Sequence, residues 1–502
     1  MNKQPNQTTA ENPAEDPQVK EINDHLDALL GLEARKPGAA ANLPAVIRIT
    51  ETLEAAGGKD FPVFPPSYAG EGTKAPPVYD LNGIEYGEIL REKSAKDGTK
   101  RITRYIKRAR QCTMDSPQSH ANRTEIAFRD DEDLRSLVPQ AVATIPRKPE
   151  CFEQSEANLL ALPHRVADFR VRASNQAPLV EKAIKAFAKG DALPLLQLMP
   201  TSILFGFWDS RAEGYQHKHA RILLSRIDAF DVVPCEKHSL YTGPYSKDEC
   251  ASVVLGNENL AEVLSKQESE EAGTKDEDEK QTASKEAKKW ADAMAARGFS
   301  SAPSSGLGGV IAEKIERLAL ISLTDIASIF CYKLGAADEK DSKNETKREA
   351  ALANEKPDLI LTNAARRYLV ALALLAENYP RSTGSYRLRS GCELLPTAKE
   401  TKLLGAGLDS NNAKALIALC GKRELLINVA QAAHKILTIP PTLPTFASNK
   451  ETLKDDLEKA GKKTAKQNKD SSKGGKSKDA ASIKVQVETR PASTAENSPA
   501  SE

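Results

Sequence analysis

The sequence predicts an α+β fold, with strands and helices mixed along the chain and at least one antiparallel strand pair. Three observations carry this. Residues 45–53 alternate, with Ile47, Ile49 and Leu53 on one parity and Arg48, Thr50 and Thr52 on the other, the pattern of a half-buried strand. Residues 202–208 are a short apolar run after Pro200, and residues 222–233 read as its antiparallel partner through the polar turn 210–219. Residues 178–188 repeat apolar side chains at helical spacing, and residues 363–377 leave little polar face, as a core helix does.

In chain order, residues 1–41 are rich in Asn, Gln, Pro and Ala and read as a disordered tail. The first strand, 45–53, opens a folded region expected over 42–447. The amphipathic helix 178–188 places Leu179, Ile184 and Phe187 on one side. Residues 266–305 and 335–357 are charged and poor in large apolar residues, so they read as insertions in surface loops. The glycines of 306–309 read as flexible punctuation before a helix over 310–320. Asn363 suits the cap of a core helix running to Glu377 and closed by Pro380. Residues 386–394 form the cleanest strand, with Tyr386, Leu388, Cys392 and Leu394 alternating with Arg387, Arg389 and Glu393. From 448 to 502 the chain is Lys-, Ser-, Ala- and Glu-rich and reads as a second disordered tail.

Bulk properties narrow the function. The seven cysteines are scattered, odd in number and without a C-x-x-C pair, which fits reduced thiols in a cytoplasmic protein and argues against a zinc site. No stretch of about 18 consecutive apolar residues occurs, so no membrane span is expected. The net charge of +1 hides unlike pieces: residues 91–110 hold nine Lys or Arg against Glu92 and Asp97. Phosphate binding depends on such local patches. Templates for phosphate-cradling loops, metalloproteases and serine hydrolases are missing. No cofactor is therefore expected.

The informative segment is 111–125. Ser116 suits a helix N-cap and Pro117 its first position, where no amide donor is needed. Gln118, Asn122 and Glu125 then share a face, with Ser119 and Arg123 beside them. Such a helix start can hold phosphate and ribose oxygens, or it can simply face solvent. Tyr105 among Arg101, Arg104, Lys107 and Arg108 offers a stacking surface in a basic groove, or belongs to a basic solvent-exposed helix or loop. Arg387 and Arg389 share one side of their strand and meet either RNA or water. Arg221 and Arg226 bind phosphate or make internal ion pairs with Asp228 or Asp231. His164 and Arg165 follow Pro163 at a helix start; His164 contacts phosphate or is buried and hydrogen-bonded. His217 and His219 lack a third ligand nearby and sit in a turn, so no metal is expected there.

The run Asp115-Ser116-Pro117-Gln118-Ser119-His120-Ala121-Asn122-Arg123 resembles the signature of one CRISPR-associated family. This is the "Cas seven" backbone subunit of the type I-G (formerly I-U) Cascade complex, in the RAMP superfamily. Further blocks resemble that family in the same order, at 64–68, 162–168, 202–210, 221–230, 365–369 and 386–390. The family usually carries valine and glutamine where this chain has Pro117 and His120. The resemblance implies a modified RRM-like (ferredoxin-like) domain with a β-hairpin thumb, for which residues 91–110 are the candidate. It implies several copies side by side along a CRISPR RNA, presenting the spacer to target DNA and meeting other Cascade subunits, without catalysis. The rival expectation is a RAMP-superfamily endoribonuclease, assembled from His120, His164 and Arg123 or from Asp115.

Overall fold

The computed structural model describes residues 16–34, 43–70, 77–91, 101–146, 154–210, 217–237, 306–333 and 356–447. All belong to the unit Met1–Ser448. The expected insertion 266–305, most of 335–357 and the tail 448–502 lie outside the described residues.

At the centre is an antiparallel sheet of seven strands: β1 Pro44–Ala55, β2 Leu81–Arg91, β3 Arg101–Asp115, β4 Leu223–Lys237, β5 Gly306–Ser322, β6 Tyr386–Arg389 and β7 Cys392–Gly405. Their spatial order is β6-β7-β1-β5-β4-β3-β2, which is the α+β architecture the alternation predicts. Register places Ile49 opposite Ala319, and Ala319 opposite Ser225. Along each strand alternate residues share a face, so the buried Ile47, Ile49, Leu53, Ile315, Ala319 and Ile321 line one side. The other side carries half-exposed Arg48, Thr50, Leu224, Arg226, Leu318 and Leu320.

Helices cover part of the buried side. They include α1 Pro17–Leu30, α2 Pro117–Glu125, α3 Ala177–Ala188, α4 Pro200–Phe205, α5 Leu359–Ser382, α6 Asn411–Leu419 and α7 Arg423–Ile436. Helix α5 is the hub. From Tyr368 to Ala376 every residue is buried, the signature of a helix apolar all round and packed inside a fold. Each fully buried Leu or Val contributes about 1.5–3 kcal/mol. By length and composition α5 is apolar enough to cross a membrane, but 72% of that window is buried inside the fold. The remainder of the buried side is closed by the sheet's own edge. Tyr386, Leu388, Cys392 and Leu394 of β6 and β7 pack with Val63, Cys112, Met114, Ile227 and Ala229 in a second cluster.

Several expectations are corrected. Residues 17–30 are not tail but helix, with Val19, Leu26, Leu29 and Leu30 buried; tail-like composition on either side masked their i, i+3, i+4 spacing. Residues 202–208 are the helix α4 followed by the short strand Phe207–Asp209. A short run buried on all sides has no period to read, and Pro200 at a helix start decides it. That strand pairs with His217–His219, whereas residues 222–233 pair with β3 and β5 instead. Residues 310–320 are strand, not helix. The strand 386–394 is two strands joined by a turn, with Gly391 at φ +74°, a conformation that favours glycine. Helix α5 starts at Leu359, capped by Asp358, whose carboxylate accepts from the Leu361 amide at 2.8 Å. Asn363 instead donates to Asp27 at 3.1 Å and accepts from the Leu32 amide at 2.9 Å, tying α5 to α1. The helix runs past Pro380 to Ser382. In α3 Leu179 is exposed, and Val180, Ala183 and Ile184 are the buried side chains.

Candidate nucleic-acid interface

The basic run is neither helix nor loop. Residues 101–110 form most of β3, paired with β2 from Arg101 opposite Arg91 to Cys112 opposite Leu81. Strand β4 pairs with β3 only from Ala109 onward. Among the described residues the segment 101–108 pairs only with β2, as a two-stranded ribbon that parts from β4 at the edge of the sheet. Residues 92–100 lie outside the described residues, as do the side chains of Arg101 and Arg104.

Tyr86 and Tyr105 are 58% and 39% exposed. Tyr86 faces Ile106 and Gly87 faces Tyr105 across the ribbon, so the two rings point to opposite faces. A Cβ on Gly87 would stand 2.4 Å from Cζ of Tyr105; only glycine lets that ring lie on the ribbon. Lys107 pairs with Glu85 at 2.8 Å and Arg108 with Asp231 at 3.9 Å, both at exposed positions. Such pairs are worth at most about 1 kcal/mol, so these cations remain exchangeable with phosphate. Arg110 is exposed beside them.

Helix α2 starts as its sequence dictates, with Pro117 at the first position and the Ser116 Oγ accepting from the Ser119 amide at 3.3 Å. Its polar face is different from the expected one. Gln118 is exposed, but Glu125 is fully buried and takes Arg165 Nε at 2.8 Å. Arg165, 5% exposed, also donates to Asn122 Oδ1 and to the Gly206 carbonyl, both at 3.3 Å. Its guanidinium is spent inside the fold, which corrects the reading of Arg165 as a surface phosphate contact. Burial raises the Glu125 carboxyl above its ordinary value and outweighs the lowering by Arg165.

On the other side of α2, His120 Nδ1 lies 3.1 Å from Asp115 Oδ2, and both side chains are buried. Arg123 Nε stands 3.3 Å from the same carboxylate while its Nη2 donates to the Leu388 carbonyl at 2.8 Å. Burial pushes Asp115 up, but the hydrogen bonds of His120 and Ser119 and the Arg123 charge bring it below its ordinary value. Burial pulls the His120 imidazole down, against the attraction of Asp115, and favours the neutral ring.

The other candidates divide. His164 and Arg387 are exposed. Arg389 donates to the carbonyls of Phe64 and Met114, each at 3.3 Å, and so ties the β6–β7 turn to the end of β3. Arg226 grips Asp228 with two bonds of 2.5 Å on the open side of the sheet, the internal pair its spacing allowed. Arg221 is half-buried beside Arg165, and its Nε has no hydrogen-bond partner among the described residues. His219 Nε2 lies 3.0 Å from the Ile203 carbonyl, and both His217 and His219 pack on Phe187 and Phe207. Among the described residues no three His, Cys, Asp or Glu side chains group as a metal site.

Sequence reading missed two features. Glu51, on the inward parity of β1 between Ile49 and Leu53, is fully buried and accepts from Arg317 at 2.9 Å, and from Arg381 and the Tyr386 hydroxyl. Arg317 also pairs with Glu377. The inward parity of Glu51 was the available signal. The second is Trp208, 61% exposed on a strand whose neighbours Phe207 and Asp209 are buried.

The architecture is thus an antiparallel sheet with helices on one face and a basic, aromatic ribbon at its edge. Residues 47–234, which hold the ribbon, α2, the Arg165–Glu125 pair and Trp208, match the family described as CRISPR-associated protein GSU0053 (Cas_GSU0053), a likeness to a CRISPR-associated family over that stretch of the chain. None of the curated proteins matches it.

Proposed function

We propose that this chain is a non-catalytic backbone subunit of a type I CRISPR effector of the Cascade kind, of the "Cas seven" class. In this reading copies of the chain pack along a CRISPR RNA, hold its backbone, and leave the spacer free to pair with target DNA alongside the other Cascade subunits. The β2–β3 ribbon carries the reading: a basic strand pair with one exposed tyrosine on each face, in a chain matched to a CRISPR-associated family. Cations neutralise phosphates and rings stack on bases, a combination suited to single-stranded RNA. The antiparallel sheet with helices on one face supports a modified RRM-like domain, and the ribbon supports the thumb.

The endoribonuclease reading has less support. His120 and Asp115 are both buried and bonded to each other, away from any 2′-hydroxyl in solution. His164 remains exposed, so the assay is worth stating. The purified chain is incubated with labelled repeat RNA and with RNA complementary to a guide, with and without Mg²⁺. Intact RNA, together with co-purification of a discrete repeat–spacer RNA, is the expected outcome. Cleavage that disappears in His164→Ala, or in Asp115→Ala of verified fold, overturns the non-catalytic assignment.

A further inference from the structure

We infer that Trp208, Lys218 and Arg221 form a second single-stranded nucleic-acid contact, separate from the ribbon, in which one base stacks on the indole and its phosphate meets the two cations. The inference rests on the nucleic-acid reading above and extends it to a surface that reading does not need.

The geometry is local and specific. Trp208 and Lys218 are directly opposite in the short hairpin formed by Phe207–Asp209 and His217–His219. The inner residues of that hairpin pack on Phe187, so alternation turns Trp208 and Lys218 outward together. The Lys218 ammonium sits 5.5 Å from the centre of the indole, yet Trp208 keeps 61% of its surface open. Among the described residues Phe207 supplies the anchor of this hairpin on Phe187.

Behind this hairpin two arginines lie close together. Arg165 donates to the Gly206 carbonyl, two residues before Trp208, and Arg221 packs against Gly206 as well. Among the described residues, two acids here are already paired and buried, Glu125 with Arg165 and Asp209 with Arg172. Arg221 keeps a half-buried guanidinium next to a like charge, with its Nε unpartnered among the described residues. Burial and the Arg165 charge both pull Arg221 below its ordinary value, so a phosphate there relieves a repulsion already present. An exposed aromatic beside under-neutralised cations matches a stacked nucleotide. An apolar or cationic protein surface would leave the cations unanswered.

The chain has two tryptophans, Trp208 and Trp290, so the full-length Trp290→Phe protein reports on Trp208 alone. Titration with poly(U) RNA is expected to quench its emission saturably. Trp208→Ala is expected to weaken poly(U) binding at least about fivefold and Trp208→Phe much less, given the usual worth of base stacking. Arg221→Gln is expected to weaken binding and flatten its salt dependence, with circular dichroism confirming the fold. Unchanged emission at saturating poly(U), with Trp208→Ala binding like the parent, overturns this inference while leaving the ribbon reading intact. A change of oligomeric state in Trp208→Ala without any quench assigns the patch to a protein contact and also overturns it. If the unmodified chain binds no poly(U) and no repeat RNA, both readings fall together.

Discussion

Replacing Arg165 with methionine strands the Glu125 carboxyl, buried under α2, without its counter-charge. A buried acid in that position takes up a proton instead of staying charged. Holding it neutral costs about 1.36 kcal/mol for each pH unit above the ordinary value of 4.5. At pH 7.5 that is at most about 4 kcal/mol, reduced by the part the parent already bears because its own Glu125 is raised with Arg165 in place; removal of one partner of a buried pair costs about 3–5 kcal/mol. At pH 5.5 the same reasoning leaves about 1.4 kcal/mol. The sign follows from linkage: the folded variant binds one proton more than its unfolded chain, so its stability falls as pH rises above 4.5. Urea unfolding of parent and variant at both pH values reads this difference directly. Adding Glu125→Gln to the variant removes the stranded carboxyl and is expected to remove the part of the variant's own pH dependence that this carboxyl causes. A gap that is small and equal at pH 5.5 and 7.5, with a loss of RNA binding by a fully stable variant, refutes the internal role of Arg165.

Three further outcomes are expected. Glu51→Ala leaves Arg317 with Glu377 as its remaining buried acid and frees the Tyr386 hydroxyl; it lowers stability by about 3–5 kcal/mol, read from urea midpoints. His120 is neutral in the fold because burial depresses it, so the parent protein loses stability as pH falls below the ordinary imidazole value of 6.5. His120→Gln of verified fold therefore closes its stability gap to the parent by up to about 1.4 kcal/mol between pH 7.5 and 5.5, followed by thermal melts. Tyr105→Ala leaves the melting temperature unchanged, since the ring lies on the exposed ribbon, and weakens RNA binding by about 1–3 kcal/mol in fluorescence anisotropy.

Much of the sheet was legible because period-two alternation survives in β1, β6 and the start of β7, where one face is buried and the other wet. The helix α2 was legible at its start, where Ser116 and Pro117 act through local backbone chemistry. Residues 202–208 misled because burial on every side erases the period that separates helix from strand, whereas 310–320 misled because Arg317 takes an inward position while Leu318 and Leu320 lie half-exposed on the other face, which breaks the alternation. The site was legible in composition but not in disposition. A run of basic residues announces phosphate affinity, yet nothing local reveals that 101–110 pairs with 81–91. Likewise Arg165 and Arg123 look alike in sequence. Long-range packing alone makes the first an internal partner of Glu125 and leaves the second partly exposed beside Asp115.

The central claim is that the ribbon grips RNA by its phosphates. Lys107, Arg108 and Arg110 are exposed and held at most by weak surface pairs, so changing all three to glutamine should leave the fold untouched. The decisive measurement is the slope of log affinity against log salt for repeat–spacer RNA, in parent and triple variant. Each phosphate neutralised on a single strand contributes about −0.7 to that slope. A steep slope in the parent, reduced by up to about 2 in the variant, is the predicted result. A flat slope in the parent, or the same slope in both, contradicts it.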